Sequence, residues 1–125
     1  MAAPDDRRYS ESHEWHKLEG DTLTLGLTKF AVDELTDVTY VEMKPVGQTV
    51  SAGDVVGEVE SVKATSDVYT GVPGEIVAVN DALESDPAAL NNDPYEAGWL
   101  VKIKVSDPAA FEKLLSAADY EKQHG

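Results

Sequence analysis

The sequence contains no cysteine, which excludes disulfides, thiolate metal sites and cysteine nucleophiles. Basic residues are also scarce, since ten lysines and arginines stand against 24 aspartates and glutamates and leave a net charge of −14. A chain with so few cations cannot neutralise a nucleic-acid backbone, and its charge opposes anionic membrane surfaces. We therefore expect no nucleic-acid and no membrane partner. We also expect a monomer, because like charges keep copies of the chain apart.

Long apolar segments are absent as well. No run of residues approaches the ~20 apolar positions that a membrane-spanning helix needs. The first residues, Met1 to Asp6, lack the apolar centre of a secretory signal and are acidic rather than arginine-rich. These features favour a cytoplasmic, bacterial-type protein, with a mature mitochondrial chain as the alternative. The length suits one domain, which we expect over residues 11–125 after a loose segment over residues 1–10.

What the sequence does contain is a series of short alternating segments. Trp15 to Glu19 is typical of a strand, and Thr22 to Leu27 alternates leucine with threonine or glycine, as a half-buried strand does. Thr28 is placed to cap a short helix, and Thr39 to Met43 is typical of a further strand. Residues 46–80 are dense in valine and glycine, which favours more strands separated by turns.

The last third of the chain changes character twice. Residues 81–98 are rich in turn-forming residues and predict a loop with one helical turn. Beyond Trp99 the sequence alternates again, with Val101, Ile103 and Val105 on the inward face. Short strands with frequent turn signals and helical ends predict a mainly β sandwich or barrel with short flanking helices.

A C-terminal helical extension follows. Asp107 and Pro108 suit the N-cap and the first helical position. Three apolar residues then follow at helical spacing and predict one apolar face: Phe111, Leu114 and Leu115. Residues 119–124 predict a second short helix.

No pattern in the sequence is typical of an enzyme. His13 and His16 lie three residues apart in a predicted strand or turn, whereas a zincin motif needs histidines four residues apart on a helix. The sequence has no nucleophile elbow, no phosphate-binding loop and no dinucleotide fingerprint. The acidic residues 86–93 do not follow the calcium-loop pattern. We therefore predict no catalytic residue and no metal site.

Lys63 is the position that pattern analysis places best for chemistry. A valine-bearing segment precedes it and another, Val68 to Thr70, follows, so the lysine is predicted at the tip of a β-hairpin. A long side chain on a rigid hairpin suits a tether that another enzyme acylates. An ordinary lysine has a pKa of about 10.4 and is a poor nucleophile at neutral pH. From the pattern alone, an inert exposed lysine is the alternative.

The segment Glu60-Ser61-Val62-Lys63-Ala64, followed by Ser66-Asp67, resembles the lipoylation motif of glycine cleavage system H proteins. The resemblance extends from about Tyr9 to Tyr120. The other segments that carry it, in order, are Ser12-His13-Glu14-Trp15, Gly26-Leu27-Thr28, Tyr40-Val41-Glu42, Gly53-Asp54, Pro73-Gly74-Glu75, Val79-Asn80, Asn92-Asp93-Pro94-Tyr95 and Gly98-Trp99-Leu100.

This resemblance implies a barrel-sandwich hybrid of two antiparallel sheets, a single lipoyl-binding domain in which the modified lysine lies on a hairpin turn. It implies a carrier that is not itself an enzyme. The lipoyl group would take an aminomethyl group from a PLP-dependent glycine decarboxylase and deliver it to an aminomethyltransferase. A dihydrolipoyl dehydrogenase would reoxidise the arm, and a lipoylating enzyme would attach it.

The resemblance also implies roles for individual residues. Lys63 would hold lipoate covalently. Four residues would serve recognition by the lipoylating enzyme: Glu60, Ser61, Val62 and Ala64. Four more would line a cleft for the loaded arm: Ser12, Glu14, Asp67 and Thr70. The carboxylates among them suit a protonated amine.

The sequence departs from the family pattern at three places. Thr36 stands where a glycine commonly precedes Asp37, and Met43-Lys44-Pro45 shifts a proline by one position. Thr70-Gly71-Val72 is looser than the usual Ser/Ala-Pro-Val and adjoins the expected cleft.

Two alternatives keep the same lysine but change the role. A lipoyl domain of a 2-oxoacid dehydrogenase complex usually carries Asp-Lys-Ala at the turn, where this chain has Val62-Lys63-Ala64. A stand-alone H-like protein serving as a lipoyl relay or interaction partner has no distinguishing motif.

Overall fold

The computed structural model describes residues 6–124. Nine strands and five short helices follow one another along this part of the chain: β1 Arg8–Tyr9, β2 Glu14–Glu19, β3 Thr22–Leu27, α1 Lys29–Leu35, β4 Val38–Met43, β5 Thr49–Val50, β6 Val55–Ser61, β7 Thr65–Tyr69, β8 Gly74–Val79, α2 Ala82–Ser85, α3 Ala88–Asn92, β9 Val101–Val105, α4 Pro108–Glu112 and α5 Ala117–His124. None of these helices is long and apolar enough to cross a membrane.

The strands form two antiparallel sheets. The larger has six strands in the order β1-β2-β3-β9-β8-β5, and the smaller has three in the order β4-β6-β7. Every strand pairing is antiparallel. The predicted mainly β fold with two antiparallel sheets and short helices, one of them C-terminal, is confirmed.

Alternation decides which side chains enter the core. In β3 the leucines at 23, 25 and 27 are buried while Thr22 and Thr24 are only partly covered, and in β9 Val101, Ile103 and Val105 are buried, as predicted. Valines of the smaller sheet, with Val59 and Val68 fully buried, meet them in one shared apolar cluster. Burying these side chains gives the two sheets their cohesion.

Polar residues cap the starts of two helices as expected. The Thr28 hydroxyl accepts a hydrogen bond from the Ala31 amide at the start of α1, and the Asp107 carboxylate accepts one from the Ala109 amide at the start of α4. Both satisfy amides that have no partner within the helix. The second C-terminal helix begins two residues before the predicted start.

The loose segment predicted over residues 1–10 is wrong for Arg8–Tyr9, while residues 1–5 lie outside the described residues. Tyr9 is fully buried, stacks on Tyr120 with ring centroids 4.9 Å apart, and exchanges backbone hydrogen bonds of 2.8 Å with Leu115. One aromatic residue therefore fixes a strand inside a polar segment that has no apolar pattern.

Two other expectations, the loop over residues 81–98 and the single apolar face of the C-terminal extension, differ from the structure because individual leucines pack into different parts of the core. Residues 81–98 contain two short helices rather than one turn, since α2 buries Leu83 and α3 buries Leu90. The single apolar face of the C-terminal extension is also wrong. Helix α4 ends at Glu112, so Leu114 packs on the main core while Leu115 joins a separate aromatic cluster.

Candidate functional site

Lys63 lies in the three-residue turn that joins β6 to β7, at the exposed end of the smaller sheet. The turn is built by Ser61, whose hydroxyl accepts hydrogen bonds from the amides of Lys63 (3.2 Å) and Ala64 (3.0 Å). The Ser61 amide also donates to the Ala64 carbonyl at 2.8 Å. A short polar side chain folding back on its own backbone is a common way to close such a turn.

The tip of this hairpin rests against the end of helix α1. The Lys63 ammonium donates a hydrogen bond to the Glu34 carbonyl at 3.1 Å, and the Val62 amide donates to the Asp37 carbonyl at 3.1 Å. Val62 itself points into solvent and is 69% exposed. The structure therefore offers an accessible primary amine on a turn whose backbone is fixed.

The outer face of the smaller sheet is acidic. Glu60 lies opposite Tyr40 on one neighbouring strand and Thr65 on the other, and the row below it aligns Glu42, Glu58 and Asp67 across the three strands. These carboxylates are exposed. Like charges directly opposite each other in a sheet oppose its pairing, so these carboxylates do not stabilise the smaller sheet.

Glu14 occupies the opposite end of the hairpin, at the base of β7. Its side chain is fully buried, and its carboxylate accepts hydrogen bonds from the hydroxyls of Ser10 and Ser12 and from the Tyr69 amide at 3.1 Å. Burial raises the pKa of this carboxyl above its ordinary value, while the three hydrogen bonds act in the opposite direction. Glu14 thereby ties β2 of the larger sheet to β7 of the smaller one.

The four predicted cleft residues are only partly brought together. Ser12 contacts Glu14 and lines a surface groove of about 410 Å³ with Lys113 and Leu114. Asp67 is exposed and lies on the same side of β7 as Tyr69, two residues away. Thr70 is buried, and its hydroxyl donates to the Val72 carbonyl at 2.8 Å within its own turn. Its side chain therefore does not face an open cleft.

His16 is a buried polar residue of this base that sequence analysis did not assign to the site. Its Nε2 accepts a hydrogen bond from the Gly71 amide at 3.0 Å, which places the proton of the neutral ring on Nδ1. Among the described residues that Nδ1 has no hydrogen-bond partner. Burial lowers the pKa of His16 to about 4, so the ring stays neutral at ordinary pH.

The other histidine of the early segment also has a local role. His13 has a positive φ of 73° and its Nδ1 lies 2.7 Å from the Tyr120 hydroxyl, which in turn lies 2.8 Å from the Thr28 hydroxyl. Within residues 6–124 no group of three or more histidine or carboxylate side chains is arranged to hold a metal ion. The two histidines thus belong to separate hydrogen-bond networks.

Comparison with known proteins gives a consistent result. The family described as "Glycine cleavage H-protein" matches residues 7–124. The glycine cleavage system H protein of Alcanivorax borkumensis is 49% identical over 96% of this chain and 94% of its own length, and that of Acaryochloris marina is 47% identical over 94% and 92%. A crystal structure of the H protein from Mycobacterium marinum superposes with a TM-score of 0.89 at 42% identity, covering 97% of this chain and 98% of that one.

The resemblance seen in the sequence is thereby confirmed over nearly the whole chain. A lipoyl domain of a 2-oxoacid dehydrogenase complex does not account for these matches, because they include the early and late segments that lie far from the lysine turn. The protein belongs to the glycine cleavage H-protein family.

Proposed function

We propose that this chain carries lipoate as an amide on the Nζ of Lys63 and shuttles an aminomethyl group between the enzymes of glycine cleavage. The observation that supports it is the exposed Lys63 at the tip of a fixed hairpin, inside a segment that resembles the family's lipoylation motif. As a family member the chain is a carrier component that works with other parts of the system rather than an enzyme in its own right.

The residues around Lys63 suit covalent attachment of a long arm. The lysine side chain is exposed, and the flanking Val62 and Ala64 leave room beside it. When bound, the lipoyl group supplies a dithiolane that accepts the aminomethyl group. A tether of this kind raises the effective concentration of the carried group at each partner.

The partners follow from this role. Glycine decarboxylase, a PLP enzyme, loads the arm, aminomethyltransferase unloads it, and dihydrolipoyl dehydrogenase restores the disulfide. A lipoylating enzyme attaches lipoate, and the tip with Glu60, Ser61, Val62 and Ala64 is the surface that we expect it to bind.

Fewer residues are proposed to contact the loaded arm than the four cleft residues that the sequence predicted. Asp67 presents an exposed carboxylate about 7 Å along β7 from Tyr69, where it suits a protonated amine. Glu14 is already bonded to three donors and fixes the base of the strand, with Ser12 as one of those donors. The Thr70 hydroxyl is taken up by its own turn, so we omit it from the group that contacts the arm.

Lipoylation of purified protein by a lipoylating enzyme tests the attachment. We expect a single lipoyl mass increment that maps to the peptide containing Lys63, its loss in Lys63→Arg, and its retention in the matched control Lys44→Arg. Modification at another lysine, or none under conditions that modify a known acceptor, would sink the proposal. A second experiment compares the Asp67→Asn variant with the wild type, both carrying the loaded lipoyl arm. We expect the variant to lose the aminomethyl group faster, and an equal rate would show that Asp67 does not protect the arm.

A further inference from the structure

Helix α1 and the strand after it present a short loop to the hairpin tip. This docking loop, Glu34 to Val38, offers two backbone carbonyls: that of Glu34 accepts from the Lys63 ammonium and that of Asp37 accepts from the Val62 amide, both at 3.1 Å. Two contacts from adjacent residues fix the direction of the tip as well as its distance from the loop.

The Glu34 carbonyl is a favourable acceptor for a cation. It belongs to the last turn of α1, where carbonyls lack partners within the helix and carry the negative end of the helix dipole. Helix α1 has no basic residue of its own in that turn. Lys63 supplies the missing cation from a different element, 29 positions along the chain.

The docking loop is held in place from its other side by Asn91 of helix α3. The Asn91 amide group donates to the Thr36 carbonyl, and its oxygen accepts from the Val38 amide at 2.8 Å. One side chain therefore clamps the loop on both sides of Asp37. This restraint matters because Thr36 has φ 63° and ψ −134°, a backbone conformation that a β-branched residue rarely adopts.

We propose that the docking loop is a binding site for the unmodified Lys63 ammonium, and that Asn91 is a positioning residue that holds this site for lipoylation. The inference rests on the proposed function of Lys63. A lysine side chain has many rotamers, and ordering it before the reaction removes part of the entropic barrier that the lipoylating enzyme faces. The enzyme meets the tip and the loop as one surface with the amine already placed.

Acylation also ends the docking. The ammonium first loses one proton, the nitrogen attacks the acyl carbon of an activated lipoyl donor (an acyl adenylate or thioester), the leaving group departs with its bonding electrons, and a second proton leaves the nitrogen. The resulting amide keeps one N–H and no charge. An uncharged amide is attracted much less strongly to the C-terminal end of α1 than an ammonium is. The Lys63 side chain therefore leaves the docking loop once the amide has formed.

The test compares Asn91→Ala with Asn92→Ala, its exposed neighbour on the same helix. For Asn91→Ala we expect kcat/KM of lipoylation to fall about fivefold, which corresponds to the loss of one or two modest hydrogen bonds. Acetylation of Lys63 by a small N-hydroxysuccinimide ester should instead become faster relative to Lys44 and Lys122, because a freed amine is open to a small reagent. Asn92→Ala should match the wild type in both assays.

These opposite signs separate positioning from general loosening of the fold, which would raise the reactivity of all lysines together. Equal behaviour of Asn91→Ala and Asn92→Ala in either assay would overturn the inference. A wild-type protein that is not lipoylated on Lys63 would defeat the proposed function instead, and the ester assay would still test the docking. If Asn91→Ala does not fold, the hydrogen-exchange rate of the Val62 backbone amide in the wild type is measured instead. This rate should increase after acetylation of Lys63, and an unchanged rate would refute the docking.

Discussion

The two ends of strand β7 use polar groups in opposite ways. At the tip, exposed groups of Val62 and Lys63 donate outward to main-chain carbonyls of the docking loop. At the base, the buried side chains of Glu14 and His16 accept hydrogen bonds from the amides of Tyr69 and Gly71. The tip is held in part by the charge of the Lys63 ammonium, which acylation removes. The base is held by the buried side chains of Glu14 and His16.

This difference predicts which end of β7 is sensitive to modification of a side chain and which end makes the stability of the fold depend on pH. A buried ionisable group links stability to pH because its proton affinity differs between the folded and unfolded chain. An exposed lysine does so far less. The base of β7 should therefore be the pH-sensitive end, and the tip should change with modification while the fold stays intact.

The largest effect is expected at His16. Burial lowers its pKa in the folded chain from the ordinary 6.5 to about 4, so the unfolded chain binds a proton first as the pH falls. The stabilisation by neutral His16 is complete above pH 6.5 and is lost between pH 6.5 and 4, a difference of roughly 3 kcal/mol. Urea unfolding at several pH values should show it as the difference between wild type and His16→Gln.

Glutamine at position 16 keeps an acceptor for the Gly71 amide but does not titrate in this range. Lys63→Gln at the tip serves as the control and should keep the wild-type slope. Parallel curves for wild type and His16→Gln between pH 4 and 6.5 would show that His16 does not link stability to pH.

The second effect concerns Glu14. Glu14→Ala removes the acceptor of the Tyr69 amide and of two serine hydroxyls, which should lower the free energy of unfolding by about 2 kcal/mol. Asp67→Ala, at an exposed position of β7, the strand whose Tyr69 amide Glu14 binds, should change the free energy of unfolding by less than about 0.5 kcal/mol. Equal losses for the two variants would remove the distinction between a structural and an exposed carboxylate.

The pH dependence at Glu14 runs opposite to that at His16. Burial raises the pKa of Glu14, so the folded chain holds its proton more tightly than the unfolded chain. The resulting penalty is absent below the unfolded pKa of about 4.3 and grows as the pH rises through the folded pKa. As the pH rises above about 4.3, the free energy of unfolding of the wild type should fall relative to that of Glu14→Gln. A difference between the two proteins that stays constant with pH would contradict a raised pKa at Glu14.

Local signals in the sequence predicted much of this molecule. The cap at Thr28, the alternation of β3 and β9 and the hairpin that carries Lys63 depend on residues close in sequence, and the structure shows each of them. The departure at Thr36 is also visible in the sequence as a threonine in a place where glycine is common.

Long-range contacts could not be predicted in the same way. Asn91 meets Val38 across 53 positions, and His16 meets Gly71 across 55. No spacing rule connects these residues, because each pairing depends on how the two sheets and α3 pack. Ser10 and Ser12 reach Glu14 because residues 10–13 form a turn between β1 and β2 in which His13 has a positive φ, a geometry that no alternation in the sequence marks.

The smallest effect tests the tip through Thr36. Its positive φ strains a β-branched residue, and glycine adopts this conformation freely. Thr36→Gly should raise the free energy of unfolding by about 1 kcal/mol, since relief of strain exceeds the entropy that glycine adds to the unfolded chain. The Thr36 carbonyl that Asn91 binds is unchanged, so the ester reactivity of Lys63 should stay at the wild-type value. A loss of stability in chemical denaturation would mean that the Thr36 side chain, whose hydroxyl bonds to the Leu35 carbonyl, contributes more than its backbone strain removes.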